Sequence, residues 1–237
     1  MSSLFFSLQG SYKQLHIVLL NGDILLDSIL EESSRASAML VPHLDSMLKK
    51  NGYTLSDLAF IAVDQGPGAF TSLRVMISTV NALGFAAKIP LIGVDGLDAL
   101  ALQTKNQTSI PVSKIYYCIL LNAFNQEVFF GIYDAHLLPV MDKGYKNIDE
   151  LLTLIGALEA DATFVFAGNG AKLFAEKIQL VFALRALFAP IEVASAQTIG
   201  LSALTQWENK NKCTDTQGHC YKLVPLYMKL QAYAIKT

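Results

Sequence analysis

Residues 60–100 read FIAVDQGPGAFTSLRVMISTVNALGFAAKIPLIGVDGLDAL, and this stretch decides the fold class. The short apolar run at residues 60–64 predicts a buried parallel strand, because such strands are covered on both faces. The glycine-rich turn that follows leads into a helix expected over residues 71–88, with Thr71 as its cap. Residues 91–94 predict a second buried strand. A strand–helix–strand unit of this kind indicates an α/β protein.

The flanking segments extend this pattern through the chain. Apolar runs at residues 4–7, 15–20 and 24–29 predict three antiparallel strands, followed by a helix to Lys50 that Ser33 or Ser34 could cap. Further strands are expected at residues 115–121, 127–133, 163–167 and 191–194, and further helices at 148–158, from 171, and at 198–207. Both halves therefore begin with a hairpin and continue with strand–helix units. We expect mixed sheets covered by helices.

The loop before the second helix is a candidate anion site. Glycines allow a backbone to approach a ligand closely, and the first turn of a helix attracts negative charge. The residues assigned to this candidate site are Gly66, Pro67, Gly68, Phe70, Thr71 and Arg74. The alternative is an ordinary tight strand-to-helix turn, which composition alone favours. The loop is not a Walker loop, because no Gly-Lys-Ser/Thr follows it.

The first two predicted helices are apolar around much of their circumference. The first has an apolar surface of roughly 200°, whereas a surface helix needs only about 100°, and in the second the only charge from residue 71 to 87 is Arg74. Such helices are either buried within one chain or packed between their own sheet and a partner protein. The predicted partner contacts are Ala36, Met39, Leu40, His43 and Met47 in the first helix, and Leu73, Met76, Ile77, Val80, Leu83 and Ala87 in the second.

Composition excludes several classes of protein. The 237 residues are 52% hydrophobic and 16% charged, which excludes a disordered chain. The net charge is −2 and basic residues are scattered, so we do not expect the chain to bind nucleic acid by itself. We expect no membrane span and no signal peptide. Three cysteines fit reduced thiols, which predicts a cytoplasmic protein.

Catalytic and metal-ligating patterns are sparse. The four histidines include no pair at helical i, i+4 spacing, and no Gly-x-Ser-x-Gly nucleophile elbow occurs. Cys213, His219 and Cys220 could be a zinc fragment, but they lack a Cys-x-x-Cys pair, and we assign them no role. The prediction is therefore no catalytic residue and no metal site in this chain.

Residues 60–100 closely resemble the TsaB (YeaZ) family, whose pattern is GPGSFTGLR followed by a small-residue helix and IPLIGVSSL. Residues 40–48 (LVPHLDSML) are similar to the family's LLPMIDELL helix, 168–171 (GNGA) to its GDGA-like turn, and 224–228 (VPLYM) to its EPLYLR motif. The resemblance implies the actin-like ATPase (ASKHA) fold with two related lobes. One lobe would hold residues 1–106 together with residues 205–237, and the other lobe would hold residues 107–204.

The resemblance also implies a function. TsaB proteins support the catalytic subunit TsaD in making threonylcarbamoyladenosine next to the anticodon of tRNA, and carry no chemistry of their own. The chain is therefore expected to bind a TsaD-like subunit through its first two helices, with a TsaE-like ATPase joining them. ATP or ADP and a divalent metal are expected on those partner subunits. The same face would form a homodimer when the chain is alone, and tRNA would bind only through the complex.

Departures from the family pattern concern the nucleotide site. The opening strand of the family ends in Asp-Thr-Ser, whereas this chain has Ser7-Leu8-Gln9, which argues against ATP hydrolysis. The second hairpin has Asn122-Ala123-Phe124-Asn125 where the family often has Asp-Ala-Arg-Arg, and Ser72 replaces a glycine. Two alternatives stay open: an actin-like kinase or ATPase acting alone, and a glycoprotease-like peptidase.

Overall fold

The computed structural model describes residues 3–12, 14–108, 110, 114–212 and 221–228, with side chains at all of these except 33–37 and 210–212. Within these ranges ten strands form two five-stranded sheets. The first sheet contains β1 (Leu4–Gln9), β2 (Gln14–Asn21), β3 (Ile24–Glu32), β4 (Phe60–Asp64) and β5 (Leu91–Val94). The second contains β6 (Ile115–Asn122), β7 (Glu127–Tyr133), β8 (Gly144–Asn147), β9 (Thr163–Ala167) and β10 (Ala186–Phe188).

The two sheets share one topology. Their strand orders are β3-β2-β1-β4-β5 and β8-β7-β6-β9-β10, so each sheet repeats the order of the other. In each, the first three strands pair antiparallel, and the fourth and fifth continue the sheet in parallel from the first. A duplicated sheet of this kind is the arrangement expected of two related actin-like lobes. The predicted fold class is confirmed.

Seven α-helices in the described ranges cover the sheets. They are α1 (Ser33–Lys50), α2 (Phe70–Ala87), α3 (Gly96–Gln107), α4 (Ile148–Gly156), α5 (Asn169–Leu173), α6 (Ala175–Phe182) and α7 (Ala196–Lys212). The α1 and α2 helices pack on the outer face of the first sheet, and α4, α5 and α6 belong to the second half of the chain.

A central layer of two helices lies between the sheets. The α3 helix packs on the second sheet, where Tyr133 of β7 donates a hydrogen bond to Asp98 over 2.7 Å. The α7 helix packs on the first sheet, where the ring of Trp207 lies 5.1 Å from that of Phe60. Each central helix therefore covers the sheet of the other half, and one buried core joins the two. How the chain divides into lobes at residues 106 and 204 stays a prediction.

The structure corrects three details of the predicted elements. The last strand of the second sheet is β10, not residues 191–194. Pro190 has no N–H group to donate to a neighbouring strand, and the Ile191 carbonyl accepts a hydrogen bond from the Gly168 N–H over 2.8 Å. The short strand β8 was not predicted. Neither long helix has the predicted cap: α1 begins after Glu32 and α2 after Ala69, and neither residue makes a side-chain cap hydrogen bond.

Candidate functional site

The inner face of α2 belongs to this chain's own core. Leu73, Met76, Ile77 and Val80 are at most 3% exposed and pack with the first sheet. In α1, Leu40 and Met47 are buried in the same core. These six predicted partner contacts are therefore enclosed by their own molecule. The physical reason is that these six side chains lie on the sides of the two helices that face their own sheet, and they fill the layer above it.

The other predicted contacts lie nearer the surface. Met39 and Leu83 are half-buried and Ala87 is exposed, whereas the side chain of Ala36 lies outside the described residues. His43 is half-buried and its Nε2 atom lies 3.1 Å from an Oε2 atom of Glu31 on β3. This contact ties α1 to the edge strand of its own sheet.

A second face of α2 is open to solvent, and we call it the outer face of α2. It consists of small or uncharged side chains that are exposed or half-buried: Thr71, Val75, Ser78, Ala82, Phe85 and Ala86. The Phe85 ring is 69% exposed, with the Lys88 ammonium 4.5 Å from its centroid. Only 28% of the residues of α2 are buried, although by length and composition the helix is apolar enough to cross a bilayer, a test that core helices of other proteins also pass. The helix therefore has an uncharged face that its own sheet does not cover.

The backbone of the loop before α2 is bonded to its own chain. The Gly66 N–H donates to a carboxylate oxygen of Asp64 over 2.8 Å, and the Ala69 N–H donates to the Ser11 carbonyl over 2.6 Å. Gly68 lies so close to the first hairpin that a Cβ atom there would be 2.4 Å from that same carbonyl oxygen. This geometry supports the tight-turn interpretation of the loop, and the anion site stays a prediction.

The remaining residues of the predicted anion site lie at different depths. Gly66 and Pro67 are buried, Gly68 and Phe70 are half-buried, and Thr71 and Arg74 are exposed. The Arg74 guanidinium lies over the Phe70 ring, 3.7 Å from its centroid. The structure thus brings Phe70 and Arg74 together at the surface and puts the two residues of the cis Gly66–Pro67 bond beneath them.

Asp64 organises this region, and the sequence showed only that it precedes the loop. Its side chain is 2% exposed, and burial raises its pKa to about 6 against the opposing effect of its hydrogen bonds. Those bonds come from the Gly66 N–H and from the side chains of Ser11 and Gln9, while the Asp95 carboxylate adds to the rise. Asp64 thereby links β4, the loop and the first hairpin.

Hydrogen bonds within the chain link the two halves at the cleft between the lobes. Ser7 is fully buried, and its hydroxyl donates to the Ala196 carbonyl of α7 over 2.7 Å. The Tyr12 hydroxyl donates to the Asn122 carbonyl over 3.0 Å, and burial raises the pKa of Tyr12. On the far side, the Asn122 N–H donates to Asn169 over 2.8 Å. Asn169 belongs to the GNGA turn that resembles the family motif, whereas no sequence pattern pointed to Tyr12.

These cleft residues do not fit a metal-bound nucleotide. The family pattern has an aspartate near the end of β1, where this chain has Ser7. Serine has no carboxylate to bind a metal ion, and its hydroxyl already donates a hydrogen bond to α7. Across the part of the chain that the structure describes, no three His, Cys, Asp or Glu side chains group as metal ligands. Cys213, His219 and Cys220 lie outside the described residues.

A second cross-lobe cluster lies beside α3 and was also missed from the sequence. Lys143, from the loop after β7, donates to both Asp95 and Asp98, the latter over 2.9 Å. Burial and the Asp98 carboxylate raise the pKa of Asp95. These acids and Tyr133 line a cavity of about 250 Å³ that reaches α7. The cluster joins the start of α3 to the second sheet.

Comparison with known proteins identifies relatives along most of the chain. The TsaB protein of Bacillus subtilis is 26% identical over 221 residues, which cover 91% of this chain and 90% of that protein. The TsaB protein of Buchnera aphidicola from Schizaphis graminum is 30% identical over 94 residues, 40% of this chain and 43% of that protein. Both are named tRNA threonylcarbamoyladenosine biosynthesis proteins.

Solved structures show the same fold. YeaZ from Pseudomonas aeruginosa superposes with a TM-score of 0.69 at 23% identity, covering 89% of this chain and 94% of that one. The family profile described as TsaD, tRNA N6-adenosine threonylcarbamoyltransferase, matches residues 31–237. The chain belongs to this TsaD-type family and, within it, to the TsaB (YeaZ) family that the motifs at residues 60–100 and 224–228 indicated.

Proposed function

We propose that this chain is a non-catalytic subunit that binds and supports a TsaD-like catalytic subunit in forming threonylcarbamoyladenosine next to the anticodon of tRNA. TsaB relatives support a role in this pathway. The observation that carries the proposal is the outer face of α2, which consists of exposed or half-buried uncharged side chains that do not pack on the sheet of this chain. A surface of this kind favours a protein partner.

The chemistry of the outer face suits helix-on-helix packing. Small side chains such as Ala82 and Ser78 let another helix approach closely, and burial of their apolar surface favours association. Phe85, at the C-terminal end of the face, has the size and exposure of an anchoring residue. We accordingly propose this face of α2 as the partner surface, in place of the residues of α1 and α2 that are buried in the core.

The interlobe cleft supports a non-catalytic role. Ser7 and Tyr12 are engaged in hydrogen bonds within the chain, and Ser7 has no carboxylate where the family pattern has an aspartate. We therefore place ATP or ADP and the divalent metal on partner subunits, with no cofactor intrinsic to this chain. A TsaE-like ATPase would join the pair, and tRNA would bind through the assembled complex.

The same outer face would pair two copies of this chain when the partner is absent. Self-association would cover the apolar surface until the TsaD-like subunit replaces one copy. We expect the complex to work in the cytoplasm, since tRNA modification and reduced cysteines both fit that compartment.

The experiment combines the purified chain with the TsaD-like subunit of the same organism. We expect a stable complex by size-exclusion chromatography and calorimetry, and threonylcarbamoyladenosine on tRNA only when both subunits are present with the TsaE-like ATPase, ATP and substrates. Absence of any complex would contradict the proposal. ATP turnover by the chain alone would favour the stand-alone ATPase, and peptide cleavage above background would favour the peptidase.

A further inference from the structure

The C-terminal segment, residues 221–228, lies along one side of α2. The Leu223 N–H donates to the Asn81 side chain over 2.8 Å, and the Asn81 amide returns a bond to the Leu223 carbonyl over 2.9 Å. Near the start of α2, the Gln65 carbonyl accepts from the Leu226 N–H over 2.9 Å, and the Gln65 side chain donates to the Val224 carbonyl over 2.7 Å. Leu223 is buried in the core beneath α2. The segment is therefore attached along the helix and borders its outer face.

This attachment brings together the two most recognisable motifs of the sequence. Arg74, in the loop-and-helix motif, donates from Nε to the hydroxyl of Tyr227, 153 positions later, over 3.1 Å. The guanidinium also lies 3.7 Å from the centroid of the Phe70 ring and 5.8 Å from that of Tyr227, and the two rings are 5.7 Å apart. A flexible side chain is thus held in one position by two aromatic rings and a hydrogen bond.

The held cation has no acidic partner in the part of the chain that the structure describes. The Nε atom donates to the Tyr227 hydroxyl, and the two Nη groups have no hydrogen bond to any described residue. Arg74 is exposed, and it is the only charged residue of α2. A guanidinium edge of this geometry matches a carboxylate or a phosphate, which it binds with two parallel hydrogen bonds.

We propose that the C-terminal segment is part of the partner-binding surface, and that Arg74, fixed between Phe70 and Tyr227, binds an acidic side chain of the TsaD-like subunit. This inference rests on the proposed function. A protein carboxylate is favoured over an RNA phosphate, because Arg74 stands at the margin of an uncharged helix face with no other cation on α2. Arg74 lies near the start of α2, whereas Lys88 lies beside Phe85 at the other end of the helix, so these cations do not form the cluster that binding to a phosphate backbone needs.

The arrangement would make the contact selective. The rings and the hydrogen bond fix the guanidinium before binding, so little side-chain entropy is lost when it meets a carboxylate. The uncharged face beside it supplies apolar burial, and the single ion pair sets the register of the two helices. Tyr227 acts in this contact as a positioning residue through Arg74.

The test measures affinity for the TsaD-like subunit of the same organism by calorimetry, using the full chain. Arg74→Gln is expected to weaken binding about tenfold or more and to remove most of its dependence on salt. Tyr227→Ala is expected to weaken binding in the same direction, and Tyr227→Phe to restore much of it, because the ring still supports the guanidinium. The matched control is Arg185→Gln, an arginine 5.6 Å from the Phe164 ring in the other lobe, which should leave affinity unchanged.

Thermal melting of each variant separates folding from binding. Folded Arg74→Gln with the affinity and salt dependence of the parent would overturn this inference, while binding by the parent would leave the proposed function standing. Failure of the parent chain to bind at all would contradict the proposed function itself. Unchanged subunit affinity together with weaker tRNA binding by the assembled complex would also overturn the inference, and would assign Arg74 to an RNA phosphate.

Discussion

The hydroxyl of Tyr12 in the first hairpin donates a hydrogen bond to the carbonyl of Asn122 in the second, 110 positions away, over 3.0 Å. The two residues follow or end equivalent strands of the duplicated sheets, and the bond crosses the cleft between them. The Tyr12 side chain also packs against the core shared by both sheets. Part of the cleft is therefore filled by the chain itself, and this contact binds the two halves together.

We predict that Tyr12→Phe lowers the free energy of unfolding by about 1 kcal/mol, since the ring still packs and a single hydrogen bond is lost. The partly buried Asn122 carbonyl would lose a donor, and affinity for the TsaD-like subunit should not change. Urea denaturation followed by fluorescence measures the effect. The control is Tyr53→Phe, because the Tyr53 hydroxyl makes no hydrogen bond to any residue that the structure describes. Equal stability of the Tyr12 variant and the parent would show that this bond contributes nothing.

The two faces of α2 should respond differently to a carboxylate. Ala82→Glu, on the exposed outer face, should leave the chain folded and abolish binding to the TsaD-like subunit, because a charge would be buried at the interface. Val80→Glu, at a position with no exposed surface, should unfold the chain or cost several kcal/mol of stability. Circular dichroism and calorimetry distinguish the two outcomes.

A carboxylate on a distant surface provides the control for this pair. Leu180 of α6 is 84% exposed in the other half of the chain, so Leu180→Glu should change neither folding nor binding. Full-affinity binding by folded Ala82→Glu would show that the partner uses a different surface.

The buried Asp64 should make stability depend on pH. Its pKa rises from 3.8 to about 6 on folding, so the folded chain holds this proton more tightly than the unfolded chain does. The free energy of unfolding should therefore fall as the pH rises from about 4 to about 6, and then level off. Asp64→Asn keeps acceptor and donor groups without the charge, and should gain up to ~3 kcal/mol on the parent across that window.

Denaturation at a series of pH values tests this prediction through the difference between the variant and the parent. The difference removes contributions from other carboxyl groups, and Asp45→Asn, at an exposed position on α1, serves as the control. A constant difference between Asp64→Asn and the parent from pH 4 to pH 7 would contradict the raised pKa.

The Lys143 cluster should stabilise the joint between α3 and the second sheet. Lys143→Met would leave the largely buried Asp95 carboxylate beside Asp98 without its cation, and we expect a loss of about 1–3 kcal/mol. Lys49→Met is the matched control, since its ion pair with Asp45 is exposed and should be worth less than about 0.5 kcal/mol. Chemical denaturation measures the free energy of unfolding of both variants. Equal losses of stability would show that the partly buried Lys143 cluster stabilises the chain no more than an exposed ion pair does.

Local sequence was sufficient for most elements of the first sheet and its helices. Residues 60–64 and 91–94 coincide with β4 and β5, because short continuous apolar runs between turn residues have few other uses. The last strand of the second sheet was misplaced, because Ala186–Phe188 and residues 191–194 both contain the apolar residues of a short strand. Pairing with β9 chose between them, and such a pairing is a property of distant residues.

The direction in which each helix face points was not available from the sequence. The periodicity of α2 shows apolar residues on nearly every side of the helix, so it does not say which face meets the sheet. The structure assigns Met76 and Val80 to the core, and Ala82 and Phe85 to the surface. The inward side is the one on which Leu73, Met76, Ile77 and Val80 recur at helical spacing, and packing on the first sheet selected that side.

The sequence by itself determined the α/β class, the loop-and-helix motif and the family, because these depend on residues that are neighbours along the chain. The tertiary structure alone decided that Ser7 is sealed against α7, that Asp64 is buried beneath its loop, and that Tyr227 reaches Arg74. These contacts join residues far apart in sequence. They form only when the two sheets and the C-terminal segment pack together, because that packing sets burial and distance.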